Sequence, residues 1–333
     1  MSTADAVAGV LWVGVTLYAI FGGADFGGGF WSLLAGCGER GTRARALIDW
    51  AIGPVWEANH VWLIFAVVVL WTAFATAFSA VFSTLFIPLS LAALGIVLRG
   101  AGFAFHRLAL GARERQGWEA IFGLSSLLTP FFMGAAVGAV ASGRVPLGNA
   151  EGDPVTSWVN AVSLLTGALF VATSAYLAAV FLVSDSRRAR DADLERYFTV
   201  RALGAAVAAG ALALAGIFVF RADARYIYDG LVGEGLPLVI LSAACGLGVL
   251  ALLQRGARRG ARALAVGAVA ALIWAWGAAQ YPYLLPETLT ISAGAADHNS
   301  LIGVLVVFGV AVVFVLPALG LLYLLSQRGA LEE

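Results

Sequence analysis

The sequence predicts an all-α protein that crosses a membrane nine times. Of its 333 residues, 61% are apolar and 12% are charged, whereas a soluble domain carries about 25% charged residues. Apolar stretches long enough to cross a ~30 Å hydrocarbon core recur along the whole chain. Arginines follow every second stretch, as short cytoplasmic loops require. Together these observations favour one integral-membrane domain over residues 1–333.

The nine predicted spans share one character, since each is predominantly apolar and is bounded by polar or charged residues. They cover residues 7–34, 54–74, 79–99, 121–141, 158–183, 198–220, 236–254, 262–281 and 300–325. All 20 basic residues are arginines, and only Arg144, Arg221 and Arg225 fall outside the loops after the odd-numbered spans, which leaves 17 on one side. The positive-inside rule therefore predicts an outer N-terminus and a cytoplasmic C-terminus.

The first span carries an acid among glycines. Asp25 lies within the segment from Gly22 to Trp31, which contains five glycines. Glycine lets a neighbouring helix approach closely. One interpretation is a helix-packing stripe with Asp25 capping a break near the interface. The other is a protonatable group held against a partner helix, with the glycines making room for water or another subunit.

The second span carries an acid in its first turns. Glu57 is followed by Asn59 and His60 and then by an apolar run. A carboxylic acid at a helix centre costs roughly 2.5 to 3.5 kcal/mol on insertion scales, so a functional role is favoured. Glu57 and His60 are i,i+3 neighbours, which can share a hydrogen bond or an ion pair. Asn59 could hold a water beside them, and His60 could instead make only a helix–helix hydrogen bond.

The inner end of the third span carries Arg99, His106 and Arg107. Arg99 could pair with Asp25, Asp49 or Glu57 and so tune the acid. Alternatively, the arginines could only extend to lipid phosphates.

Ligands for haem or a metal are scarce. A haem needs axial ligands such as His, Met or Cys, yet the chain has three histidines, two methionines and two cysteines. His60, His106 and His298 do not form a two-haem ladder on paired helices. Cys37 and Cys245 both fall near cytoplasmic helix ends, so no disulfide or metal framework is expected. The sequence therefore predicts that this chain binds no haem or metal by itself.

Four segments in the first third of the chain resemble the signature segments of subunit II of the cytochrome bd quinol oxidases. They keep the family's order and read GGADFG (22–27), PVWEANHVW (54–62), FIPL (86–89) and LRGAGF (98–103). Beyond about residue 120, the resemblance is mainly in length, hydropathy and orientation. It implies two four-helix bundles plus one peripheral helix in the bacterial cytoplasmic membrane.

The resemblance also implies a partner and a role. A subunit I would carry haems b and d and the quinol site, while protons for oxygen reduction would come from the cytoplasm. Asp25 and Glu57 match acids implicated in proton paths. We expect Asn59 and His60 to organise water, with Arg99 or Asp49 tuning the acids. Some members have an acid in the segment that here reads Phe103 to His106, so a third acidic station is in doubt and a substitute role for His106 is open.

Other features of the assembly and other functions stay open at the level of sequence. A small single-helix accessory subunit, a structural quinone and the choice of ubiquinol or menaquinol are undetermined, and no nucleic-acid partner is expected. A rival interpretation is a proton- or cation-coupled secondary transporter with its site at Asp25 and Glu57. Broken helices at corresponding positions in both halves of the chain would support this interpretation. A purely structural membrane scaffold is the third.

Overall fold

The computed structural model describes residues 2–36, 38–53, 56–109, 111–257 and 259–327. The backbone alone is described at six further positions within these ranges, namely Glu57, Arg107, Ala112, Tyr323, Ser326 and Gln327. Predictions that rest on Cys37, Pro54, Val55 or the Glu57 side chain therefore lie outside the described residues.

The described chain is almost entirely helical. Its elements are α1 (Thr3–Leu33), α2 (Glu39–Ile52), α3 (Trp56–Ala73), α4 (Ala75–Thr84), α5 (Phe86–Leu108), α6 (Ala112–Ala141), α7 (Ala161–Arg188), α8 (Ala192–Asp223), α9 (Arg225–Val232), α10 (Leu236–Gln254), α11 (Ala261–Gln280), β1 (Tyr283–Leu285), β2 (Leu289–Thr290), α12 (Ile291–Gly294) and α13 (His298–Gln327). Within the described ranges, eight helices are long and apolar enough to cross a membrane, or nine if the bent pair α3–α4 counts as one span. The all-α, many-span fold is thus confirmed.

The third predicted span, 79–99, is displaced in the structure. The apolar stretch from Ala75 to Thr84 forms α4, which is bent by 118° from α3, and the crossing helix α5 runs instead from Phe86 to Leu108. Hydropathy could not find the break because both sides of Phe74 are apolar. Pro88 fits the first turn of α5, where a helix needs no backbone donor.

The sequence also missed α2, whose mixed composition lacks the hydropathy of a span. This helix buries one apolar side, which includes Ala44, Leu47, Ile48 and Ile52. It lies at the end of the molecule where the arginines gather.

The helix break after α3 recurs after α8. Phe74 links α3 to α4 with φ −137° and ψ 52°, and Ala224 links α8 to α9 with φ −142° and ψ 57°. The Ala73 carbonyl accepts a bond from the Ala296 amide, and the Tyr226 hydroxyl donates to the Tyr281 carbonyl. Both breaks therefore lie beside the α11–α13 connection, at the same end of the molecule.

Ion pairs join the arginine-bearing ends into one face. Arg43 on α2 pairs with Asp191 at 2.6 Å, just before α8, and Arg45 pairs with Glu119 on α6 at 3.6 Å. Arg187 at the end of α7 donates to the Ala257 carbonyl between α10 and α11. We call this end the arginine-rich face.

Helix α1 is the centre of the packing. It contacts α3, α6, α7 and α11 along its length, and α13 lies against α1 and α3. Helices α5 and α6 pack together, as do α7 with α8 and α10 with α11. A division into two four-helix bundles with a peripheral α13 remains a prediction.

Candidate functional site

The glycine segment of α1 brings two neighbouring helices close to Asp25. A Cβ atom at Gly27 would overlap the backbone carbonyl of Ser174 on α7, and one at Gly29 would overlap the hydroxyl of Ser126 on α6. The interpretation in which Asp25 caps a helix break is wrong in that respect, because α1 is continuous from Thr3 to Leu33. The glycines thus make room for helices of this same chain, and they surround Asp25 with protein.

Asp25 is 5% exposed and has a direct polar partner on α3. The Asn59 amide Nδ2 donates to Asp25 Oδ2 at 2.5 Å. Asn59 is buried as well. Asp25 on the first span thus contacts the second span through Asn59, two residues after Glu57.

Arg99 on α5 completes this buried centre. It is 1% exposed, and its Nη2 donates to the backbone carbonyl of Asp25 at 3.0 Å while its Nε donates to Ser126 Oγ at 3.1 Å. Its guanidinium carbon lies 5.2 Å from the ring centre of Phe26 and 5.1 Å from that of Phe122. Lipid phosphates are therefore not what Arg99 contacts. Among the described ion pairs, none joins Arg99 to the Asp25 carboxylate.

Asp49, proposed above as a partner of Arg99, pairs instead with His106. His106 Nε2 lies 3.2 Å from Asp49 Oδ2, and His106 Nδ1 lies 3.2 Å from the Gly102 carbonyl. His106 is buried. This second polar pair links α2 to α5 and lies apart from the Asp25–Asn59 contact.

His60 lies among aromatic rings. Its ring centre is 6.0 Å from Tyr18, 6.2 Å from Phe26 and 6.5 Å from Trp56. Within the described part of the chain, His60 Nδ1 and the Tyr18 hydroxyl are buried without a hydrogen-bond partner. The predicted contact between His60 and Glu57 involves a side chain outside the described residues.

A cavity of about 100 Å³ opens beside Asp25. A cavity of this size has room for several water molecules. Its walls come from α1, α2, α3 and α7, and its polar lining consists of Asp25, Asn59 and Asp185. Asp185 was not predicted as a site residue from the sequence. It lies just before Arg187 and Arg188, where charged residues are common at the cytoplasmic end of a membrane helix. The spacing of Ala178, Phe181, Leu182 and Asp185 on one face of α7 was the available signal.

The described residues hold no cluster of three or more His, Cys, Asp or Glu side chains that could bind a metal. His60, His106 and His298 lie on three different helices, α3, α5 and α13.

The fold and the site define a polytopic helical membrane protein with a buried ionisable centre. Such a centre is costly in a bilayer and marks a functional site by default. The sequence profile of the family described as "Cytochrome bd terminal oxidase subunit II" matches residues 3–326. The chain belongs to this family.

Relatives and a solved structure are similar to this chain over most of its length or over less than half of it. The chain is 23% identical over 320 residues to the putative cytochrome bd menaquinol oxidase subunit II of Bacillus subtilis, covering 92% of this chain and 91% of the relative. It is 28% identical over 135 residues to the cytochrome bd-I ubiquinol oxidase subunit 2 of Escherichia coli K12, covering 40% and 34%. A chain of the bd oxidase structure from Geobacillus thermodenitrificans superposes with a TM-score of 0.74 at 26% identity, covering 97% of this chain and 98% of that one.

The resemblance found in the sequence is thereby confirmed. The chain is a multi-span membrane subunit of a terminal oxidase complex that reduces oxygen, and it pairs with a subunit I.

Proposed function

We propose that this subunit delivers cytoplasmic protons to the oxygen-reducing haem of its partner, through Asp25 and Glu57. Haems b and d and the oxidation of quinol belong to subunit I in this proposal, and this chain binds no haem. Its residues hold and move protons at the Asp25 carboxylate, with Asn59 and His60 positioning water. A structural quinone, lipid and a small accessory subunit are compatible with this role but are not required by it.

The observation that carries the proposal is the buried Asp25 carboxylate beside a cavity that extends toward the arginine-rich face. Asn59 holds one carboxylate oxygen at 2.5 Å, and the cavity has room for water next to it. Arg99 holds the backbone of the same residue. A carboxylate with one fixed oxygen and adjacent water is suited to exchanging protons along a water chain.

The direction of delivery follows from charge. By the positive-inside rule, the arginine-rich face is the cytoplasmic face, which puts the N-terminus outside and the C-terminus inside a bacterial cytoplasmic membrane. The cavity then opens from Asp25 toward the cytoplasm.

The transporter alternative has less support. Transporter sites use helices that are interrupted near the bilayer midplane. Here α1 is continuous, and the two helix breaks follow α3 and α8 at one end of the molecule. An 18-residue helix such as α3 already extends about 27 Å. The breaks are therefore suited to turning the chain at the membrane surface.

The proposal is tested in the purified complex with the variants Asp25→Asn and Glu57→Gln. Quinol-dependent oxygen consumption should fall by at least about tenfold, since a positioned acid or base contributes a factor of that order or more. Haem reduction by quinol without oxygen should remain at the parental rate. Asp229→Asn, at an exposed acid paired with Arg225, is the matched control.

Asparagine at position 25 can still accept the Asn59 bond, so assembly should survive. Normal oxygen consumption in correctly assembled Asp25→Asn and Glu57→Gln complexes would refute the proton-delivery role. It would leave the family assignment intact.

A further inference from the structure

We propose that Asp185 on α7 forms the cytoplasmic entrance of the proton path, and that water in the cavity connects it to Asp25. The inference rests on the proposed function and extends it to a residue outside the first third of the chain. Asp185 would act as a positioning residue, ordering water and attracting the incoming proton.

The cavity provides the connection. Asp25 and Asp185 both line it, and they are its only ionisable lining residues among those described. At Ala178, α7 lies against Gly27, two residues from Asp25. The lining of α7 continues from Ala178 to Asp185, which is about 10 Å along a helix axis. The same cavity therefore extends from the buried acid to the inner end of α7.

The two oxygens of Asp185 have different surroundings. Arg262 Nη2 donates to Oδ1 at 2.5 Å, and Arg188 Nη1 lies 3.7 Å from the same oxygen. Over the described part of the chain, no donor reaches Oδ2. Because Asp185 lines the cavity, this second oxygen is available to accept a hydrogen bond from water.

A purely structural ion pair explains these contacts less well. Arg262 Nη2 also donates to the Phe181 carbonyl at 2.7 Å, which ties α11 to α7 without the Asp185 carboxylate. Other acids on the arginine-rich face pair with arginines and do not line the cavity: Asp191 and Asp193 pair with Arg43, Glu119 with Arg45 and Glu195 with Arg187. Asp185 alone combines burial in this face with a wall of the cavity.

The transfer itself needs no further reactant. A cytoplasmic hydronium passes a proton to the water held at Asp185 Oδ2, each water in the cavity passes one on, and the Asp25 carboxylate takes it up. Asp185 keeps its negative charge, which offsets the positive field of Arg188 and Arg262 at the entrance.

The test compares Asp185→Asn with Asp193→Asn and Asp25→Asn in the intact complex. Proton uptake after mixing the prereduced complex with oxygen is followed with a pH-indicator dye. Asp185→Asn should take up protons about tenfold more slowly, while haem reduction by quinol is unchanged. Asp193→Asn is the matched control, because it removes an exposed acid from the same face and should behave like the parent.

Two further variants separate a path from a packing role. Ala51→Leu narrows the cavity from the α2 side without removing an acid and should also slow proton uptake. Asp185→Glu keeps a carboxylate at the entrance and should recover most of the parental rate. If Asp185→Asn fails to assemble, Ala51→Leu decides the question.

The outcomes distinguish the two proposals. Slow uptake in Asp25→Asn with parental uptake in Asp185→Asn and Ala51→Leu would overturn the entrance and leave Asp25 in place. Parental uptake in assembled Asp25→Asn would overturn proton delivery itself. A loss in Asp185→Asn that merely follows the loss of assembled complex, with no slowing per haem, would show a structural role and also overturn the entrance.

Discussion

Replacing Gly27 by alanine should weaken the packing of α1 against α7. The added Cβ would overlap the carbonyl oxygen and carbon of Ser174 and would lie 2.7 Å from the Cβ of Ala178. The obstacle at Ser174 is backbone, so rotation of a side chain cannot relieve the overlap. Helices α1 and α7 must therefore move apart.

The size of the effect follows from the contacts that the movement disturbs. Overpacking of a tight interior costs about 1 to 3 kcal/mol. The Trp31 indole donates to the Ala175 carbonyl at 2.8 Å beside the same contact, and a typical hydrogen bond contributes about 1 kcal/mol. We expect Gly27→Ala to destabilise the α1–α7 contact by about 2 to 4 kcal/mol.

Gly9 provides a matched control on the same helix, because a Cβ there would meet nothing within 4 Å. Gly9→Ala should be neutral or stabilising by up to about 1 kcal/mol through helix propensity. The assay is the temperature at which the detergent-solubilised complex loses its native haem spectrum. Equal midpoints for Gly27→Ala and Gly9→Ala would refute the close-contact reasoning.

Two further outcomes follow from other parts of the molecule. Arg99→Lys keeps a positive charge, but a single ammonium cannot replace the guanidinium that joins the Asp25 carbonyl on α1 to the Ser126 hydroxyl on α6. We expect this variant to have a lower thermal midpoint and slower oxygen consumption, whereas Arg115→Lys, at an exposed arginine, should keep the parental values. Parental behaviour in both variants would contradict the bridging role. In the α6–α7 connection, bonds from the backbone amides of Thr156 and Val155 hold the pKa of Asp153 below its usual value. Because the pKa is lowered by folding, the stabilisation is present above the ordinary pKa and is lost as pH falls through the folded value. The protection factors of these two amides, relative to an unstructured peptide at the same pH, should therefore fall below about pH 4 in hydrogen-exchange measurements, and constant protection factors down to about pH 2 would contradict this.

The sequence was sufficient for the parts of the fold that depend on hydropathy and charge. Long apolar runs predict crossing helices because lipid cannot satisfy a free backbone. The alternation of arginines predicts which ends gather at one face. Asp25 and Arg99 stood out because ionisable groups are rare in such runs, and both prove to be buried in one polar centre.

The remaining features depend on three-dimensional neighbours. The break at Phe74 separates two segments that are both apolar, so no charged residue marks it. The pairing of His106 with Asp49 depends on how α2 lies against α5. Asp185 lines the cavity beside Asp25 only because α7 packs against the glycines of α1. This contact joins segments about 150 residues apart in the chain.

That separation has a consequence for biogenesis. Asp25 enters the membrane early in synthesis, whereas α7, which provides the far wall of its cavity, is made about 150 residues later; at a synthesis rate of about 5 to 20 residues per second this takes roughly 8 to 30 seconds. During this interval, Asn59 and then Arg99 are the protein partners within the chain that can shield the acid from lipid. The nascent subunit thus carries an incompletely covered carboxylate through nearly half of its synthesis, and membrane quality control would meet it in that state.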